Sequence, residues 1–453
     1  MTAARAKAPP RCAVLYVALH CDHPAAPPSR HLLADTEAVQ IGRSRAGGAL
    51  REGNRLQLSV ADGWMSMRHA ALTRSAAGWS IEDAGSRNGT LVNGAKCTRA
   101  ELHDGDLLEL GHTLFLFRDP VPVSAGATPD LNAAQLPRPA AGLATFAPAL
   151  ATEAGRLGMI ARSDVSVVIQ GETGCGKEVA ARALHLLSGR GGQFVAVNCG
   201  GIARTLVETE MFGYRKGAFS GADEDRPGLV RSADKGTLFL DEIADLPQGA
   251  QAVLLRALQE SEVVPVGATR PVKVDVRVLA ATHYDVRELV SEGTFRADLF
   301  ARISGFTLRL PPLRERREDL GILIGEILRR AAPDLMDHVT ITSEAARALF
   351  LHTWPLNVRE LEKCLASALV LAAGQTIDLA HLPDWAHGAP MPAPSAPQRS
   401  ISPADQRQRD ELVALLKEHR GNVSSIARAM GKARMQIQRW LKRYGLDPES
   451  YRE

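Results

Sequence analysis

The chain has 453 residues, 45% hydrophobic and 23% charged, and its 54 Lys and Arg against 51 Asp and Glu leave a net charge of +3. This is an ordinary globular composition, which excludes a disordered, collagenous or disulfide-stapled chain and leaves room for about three domains. With so small an excess of positive charge, any contact with nucleic acid has to come from a local patch.

Cys12, Cys21, Cys97, Cys175, Cys199 and Cys364 are scattered, and none forms a CxxC pair. This predicts reduced thiols, no structural zinc and a cytoplasmic protein. No apolar run reaches the ~18–20 residues of a membrane span. The opening stretch "MTAARAKAPPRCAVLYVALHCDHP" is too short in apolar residues for a signal peptide.

The first segments, "GWSIEDAG", "GTLVNGAKC" and "DGDLLELGHTLFLFRD", alternate with period two between Gly, Asn and Asp turns. They predict an antiparallel β-sandwich over residues 1–118, with its core from about residue 30. Residues 119–142, rich in Pro and Ala, read as a linker. The runs "VSVVIQ", "FVAVNC", "GTLFLDEI", "VRVLAAT" and "FTLRL" are separated by helical stretches. Over 143–312 they predict an α/β domain with a buried parallel sheet. Residues 313–386 read as helical only, 387–403 as a second linker and 404–453 as helical.

Strand "VSVVIQ" runs into GETGCGKE: Gly171, Glu172, Thr173, Gly174, Cys175, Gly176, Lys177 and Glu178. In such a loop backbone amides cradle phosphates and the lysine reaches the β/γ-phosphates, which predicts ATP binding. Glu178 stands where a Ser or Thr usually ligates Mg²⁺. "GTLFLDEI" ends a later strand in two carboxylates. Asp241 is expected to hold Mg²⁺ through water, and Glu242 to polarise the attacking water.

Seven motifs in order, "GETGCGKE", "ETEMFGYRKGAFSGA", "GTLFLDEI", "VDVRVLAATH", "FRADLFARI", "LPPLRERREDL" and "WPLNVREL", resemble the AAA+ domain of bacterial enhancer-binding proteins, the activators of sigma-54 RNA polymerase. The resemblance implies that Asn198 orients Glu242, that Thr282 and His283 sense nucleotide, and that Arg359 is a lid sensor. It implies that Arg296 and Arg302 reach a neighbouring subunit's γ-phosphate, which requires a homo-oligomer, from dimer to hexameric ring. Gly217, Ala218, Phe219, Ser220, Gly221 and Ala222 correspond to the family's sigma-54-contacting loop, with Ser220 where the family has Thr. Arg215, His283 and Leu356 also depart from common family residues.

"IGRS", "MSMRHAAL" and "DAGSRNGTLVNG" resemble the forkhead-associated (FHA) domain. That resemblance implies a phosphothreonine protein or peptide as partner, with Arg43 and Ser66 on the phosphate, Asn88 on the peptide backbone and Arg87 nearby. Gly42, His69 and Gly89 would shape the loops, and Met67 replaces a common Arg. The C-terminal stretch resembles a Fis-type helix-turn-helix. Residues 417–443 hold eight Lys or Arg against one Glu, an electrostatic footprint for enhancer DNA. Arg434, Gln436, Gln438, Arg439 and Lys442 lie in the expected recognition helix.

The leading expectation is an ATP-hydrolysing activator that remodels the closed complex of sigma-54 RNA polymerase holoenzyme under FHA control. One rival is a DNA-binding regulator or repressor that no longer engages sigma-54. Another, a scaffold with a degenerate ATPase, is opposed by intact Lys177, Asp241, Glu242 and both arginines.

Overall fold

The computed structural model describes residues 9–124, 126–137, 143–203, 205–335, 338–387 and, further on, 412–413, 415–416, 418–419, 422–430, 436–437 and 440–441. They fall into two units, divided between Met391 and Pro392.

The first unit opens with a β-sandwich of a seven-stranded and a six-stranded sheet. It begins earlier than the expected core, at strand Arg11–His20, which lies between Ser29–Leu32 and Thr113–Pro122. Its period-two alternation sends Ala13, Leu15 and Val17 into the sandwich core. Val14, Tyr16 and Ala18 face the other way, into a core shared with the helices after residue 313. Thr113–Pro122 divides in the same manner, Phe115 and Phe117 inward, Leu114 and Leu116 outward. Burial on both faces accounts for the near-continuous apolar run "CAVLYVAL".

The reading of 119–142 as a linker is corrected. Strand Thr113–Pro122 runs into it, Asp130–Asn132 pairs with Ser29–Leu32, and a capped 3-10 turn follows at Ala133–Gln135. Val121, Ala133 and Leu136 are buried there. Asp130 is fixed by His31 at 2.7 Å and by the Arg51 guanidinium. Proline and alanine density misled because a short edge strand needs few side chains to join a sheet.

The parallel sheet of the α/β domain has the order Phe194–Asn198, Thr237–Asp241, Arg277–Thr282, Val167–Gln170, Phe306–Arg309. Its registers place Asn198 beside Asp241 and Gln170 beside Thr282, so the carboxyl ends of these strands converge on one edge, where open α/β sheets bind ligands.

Beyond residue 313 three helices, Leu320–Ala331, Ser343–Leu351 and Asn357–Leu371, form the lid. A short parallel pair, Thr340–Ile341 with Thr376–Ile377, corrects the helix-only expectation. Leu320–Ala331 is buried nearly all round, as expected of a helix held between two layers. One face meets the lid and the other meets the sandwich. Gly321 permits that approach: a Cβ there would stand 1.8 Å from the Ala18 carbonyl oxygen.

Several polar groups along this joint are paired across it. Arg118 donates to Glu318 at 2.7 Å, Arg317 to the Gly105 carbonyl at 3.1 Å, and Arg347 pairs with Glu109 at 2.9 Å. Asp319 accepts from Thr145 Oγ1 at 2.6 Å and from the Phe146 amide at 2.7 Å.

Burial pushes the Glu318 carboxyl from the ordinary 4.5 up to about 7, against the opposing pull of Arg118. Burial raises Asp319 and Glu109 as well. A carboxyl whose folded-state pKa is raised stabilises the fold below its unfolded pKa, and that contribution is lost as pH rises through the folded value. The melting temperature is therefore expected to fall as pH rises from about 4.5 to about 7, and Glu318→Gln, neutral throughout, should flatten the decline. Thermal melts of both proteins across that range test this; identical slopes would clear Glu318 of responsibility.

Candidate functional site

Strand Val167–Gln170 leads into the phosphate loop, and helix Lys177–Ser188 follows it. Gly174 and Gly176 adopt φ of 78° and 102°, conformations that glycine alone takes without strain. Lys177 is buried, and its Nζ donates to the Gly171 carbonyl at 3.0 Å and to Glu242 Oε1 at 3.2 Å. His283 Nδ1 donates to the other Glu242 oxygen at 2.7 Å. The carboxylate of Glu242 is thus held between an ammonium and an imidazole at the end of strand Thr237–Asp241. Its backbone lies in the left-handed region, φ 51° and ψ 52°, a strained conformation typical of functional positions.

Asp241 sits beside it, its carboxyl raised above the usual range by burial and by the Glu242 charge. Thr282 is buried, and its Oγ1 accepts from the Tyr284 amide at 3.0 Å. Asn198 is on the same edge but turned elsewhere: its Oδ1 accepts from the Gly200 and Gly201 amides at 3.1 Å. His283, the departure from the common Asn, makes the contact with Glu242 that the sequence assigned to Asn198.

Two loop residues expected at nucleotide are engaged otherwise. The Glu172 carboxylate receives both arms of Arg314, at 2.6 and 2.8 Å, and this pairing holds it below its usual pKa. Glu178 pairs along its helix with Arg182 at 2.6 Å, so its carboxylate is committed at the position where other P-loops place a hydroxyl. The lid grips the loop from behind. Arg316 donates to the Cys175 carbonyl at 3.0 Å, and Asn357 donates to the Thr173 carbonyl at 3.0 Å and accepts from the Leu313 amide at 2.7 Å. The Arg359 amide donates to the Gly174 carbonyl at 3.3 Å, which leaves its exposed side chain beside the loop. The sequence reading quoted "LRERRED" but gave Arg314, Arg316 and Asn357 no role. Three arginines just before an apolar helix were the available signal.

Arg296 is the N-cap of helix Ala297–Ile303, and Arg302 lies in its last turn. Arg296 is exposed and paired with Asp298 at 2.7 Å, and Arg302 donates to the Leu258 carbonyl at 2.8 Å. Neither bonds to the Lys177, Asp241 or Glu242 side chain of its own chain.

The loop 217–222 forms a compact reversal in which Gly217 donates to the Ala222 carbonyl at 2.8 Å. Gly217 and Gly221 have φ of 81° and 101°. Phe219 is 44% exposed, its ring 5.0 Å from Tyr214 in an edge-on contact. Ala218 lies against Gly267, Ser220 is exposed, and Ala222 is buried as the anchor. Arg215 pairs with Asp225 across the base.

In the sandwich, Arg43, Ser66, Arg87 and Asn88 come together from three loops. The Arg43 amide donates to the Ser66 carbonyl at 2.9 Å, the Arg87 amide to Ser66 Oγ at 3.1 Å, and Asn88 to the Trp64 carbonyl at 2.8 Å. Arg43, Arg87 and Asn88 are exposed, as is Met67. Buried His69 accepts from the Ser66 amide at 3.2 Å and meets the Gly89 carbonyl at 3.1 Å, tying two of the loops. A Cβ at Gly42 would lie 1.9 Å from the Met67 carbonyl oxygen.

Residues 144–309 match the model of the sigma-54 interaction domain, 314–397 that of the AAA+ ATPase lid domain and 39–111 that of the FHA domain. The transcriptional regulatory protein ZraR of Klebsiella oxytoca is 41% identical over 65% of this chain and 67% of its own. The chain belongs to the sigma-54 AAA+ activator family, with an N-terminal FHA domain. Another relative, the acetoin catabolism regulatory protein of Cupriavidus necator, is 40% identical over 77% of this chain, which spans 53% of that protein. A crystal structure of NtrX from Brucella abortus in complex with ATP is similar at 30% identity and TM-score 0.49, over 68% of this chain and 70% of that one.

In the second unit, helix Val423–Ala429 is capped by Asn422, whose side chain accepts from the Ser424 and Ser425 amides. Ile426 packs with Leu412, Leu416, Ile437 and Leu441, and Gln436 is helical and exposed. Arg434, Gln438, Arg439 and Lys442, and residues 388–403 of the expected second linker, lie outside the described residues. Among the described residues no helix is long and apolar enough to cross a membrane, and no cluster of three His, Cys, Asp or Glu could hold a metal.

Proposed function

We propose that the protein is an ATP-hydrolysing transcriptional regulator that binds enhancer DNA and remodels the closed sigma-54 holoenzyme complex under phosphothreonine-peptide control. The observation that carries this is the convergence of Lys177, Asp241, Glu242 and His283 at one sheet edge, in a domain that also carries an exposed Phe219. Triphosphate at the loop replaces Glu242 as the partner of Lys177. The freed carboxylate, steadied by His283, then orients water toward the γ-phosphate. Mg²⁺ fits here in one way: Asp241 offers a single carboxylate, and phosphate oxygens and water supply the rest of its shell, as this cation prefers. When bound it neutralises charge on the phosphates. Arg296 and Arg302, unused within their own site, are the groups a neighbouring subunit would receive, and this supports a ring.

Glu242→Gln is expected to retain ATP and hydrolyse it poorly. Arg296→Ala should lose roughly 10³-fold or more in rate while binding nucleotide, the scale of an arginine supplied in trans. Steady-state hydrolysis alongside nucleotide titration measures both; wild-type turnover in assembled Arg296→Ala refutes the finger.

The Phe219 tip supports contact with sigma-54, since an exposed aromatic ring is placed to bury itself in a partner. Phe219→Ala should hydrolyse ATP normally and fail to open promoters in transcription from a supercoiled template. Ser220→Thr should activate at least as well as wild type. Unchanged activation by Phe219→Ala would remove this loop as the contact and favour the regulator that does not engage sigma-54.

Arg43 and the Ser66 hydroxyl, with exposed Arg87 and Asn88 alongside, suit a phosphate dianion flanked by peptide backbone. Arg43→Ala is expected to weaken a phosphothreonine peptide about tenfold or more, since charge-assisted hydrogen bonds contribute about 1.5–3 kcal/mol. Peptide-array binding with phosphorylated and unphosphorylated pairs decides; equal capture of both would end the assignment.

A further inference from the structure

The turn Leu313–Asp319, "LRERRED", touches the α/β domain at two places and the sandwich at two within seven residues. Arg314 forks onto Glu172 and Arg316 donates to the Cys175 carbonyl, both in the phosphate loop. Arg317 donates to the Gly105 carbonyl and Glu318 accepts from Arg118, both in the sandwich. Asp319 holds Thr145 and Phe146 at the entrance to the α/β domain. Arg316, Glu318 and Asp319 are buried, so the turn has little freedom to serve one body without moving the other.

We infer that this turn is a coupling element: sandwich docking on the lid positions Arg314 and Arg316, and through them the phosphate loop, so nucleotide affinity depends on whether the FHA domain is seated. The inference rests on the nucleotide reading of that loop and adds its regulation. Arg314 and Arg316 act as positioning residues, since both bond to the loop itself. The joint is closely fitted at Gly321, where the backbone of Ala18 leaves no space for a methyl group. Linkage then requires that whatever loosens the joint changes affinity at the loop, and that nucleotide changes the joint in return.

Gly321→Ala supplies a wedge. It favours the helix yet forces a carbon against the Ala18 carbonyl. Arg118→Glu, which takes away the cation facing Glu318 and puts a second carboxyl against it, opens the same joint electrostatically. Opening is read by hydrogen exchange at the Ile341 amide, which donates across the joint to the Cys21 carbonyl at 2.8 Å. ADP serves as the probe, titrated by calorimetry into the full chain. Wild type against Lys177→Ala first establishes that ADP binds at this loop, so failure of the nucleotide reading shows there and not in the wedge.

The wedge is expected to weaken ADP about fivefold or more, the lower range of allosteric coupling. In an Arg314→Ala background its effect should shrink, because one of the two arginine contacts to the loop is already cut, and Arg314→Lys should restore part of it. Unchanged or tighter ADP binding in a protein whose Ile341 amide has become exposed overturns the inference. So do additive effects of the wedge and Arg314→Ala in a double-mutant cycle. A joint that stays closed in both variants is no separable contact, and that result overturns it too.

Discussion

Strand Arg11–His20 has no face left for water, and much of the first unit follows from that. A strand alternates its side chains, so "CAVLYVAL" can only be satisfied by an apolar layer on each side. One layer is the second sheet of the sandwich. The other is the lid helix Leu320–Ala331, which fuses the FHA domain to the lid of the AAA+ domain. Had the outward set been polar, the two would be tethered neighbours joined by loops. Here they share a hydrophobic core, with Arg118–Glu318 and Arg347–Glu109 buried at its margins. Buried ion pairs add little net stability once desolvation is counted, but they penalise any displaced seating of one domain on the other.

The same logic places the chemistry. Parallel register carries Asn198, Asp241, Glu242 and Thr282 to one edge, and the loop after Val167–Gln170 supplies amides there. The lid then closes the loop's reverse side through Arg314, Arg316 and Asn357. Charge on the loop is divided accordingly: Glu172 answers the lid, Glu178 answers its own helix, and Lys177 answers Glu242.

Much of this was legible in the sequence because motifs record local geometry. The glycine spacing of GETGCGKE specifies a phosphate loop whatever surrounds it, and "GRS" with "SRNG" specifies turns that the sandwich brings together. Pairing between distant segments was harder. An apolar run announces that it is buried without naming what covers it, so the seating of the sandwich on the lid left no sequence signal beyond the run itself. Asp130–Asn132 was missed because a three-residue edge strand has no period to detect. Asn198 was assigned to Glu242 by resemblance; its Oδ1 is turned onto the Gly200 and Gly201 amides, and the imidazole of His283 meets Glu242.

The left-handed backbone at Glu242 bears on how such a site evolves. A side chain in that conformation costs roughly 1–2 kcal/mol that glycine would not incur, but glycine would also leave the buried Lys177 ammonium without its carboxylate partner, and breaking a buried pair costs more than that. The preference of the backbone for glycine is therefore overridden by charge pairing, and this residue can be exchanged without penalty only if the charge of Lys177 goes with it.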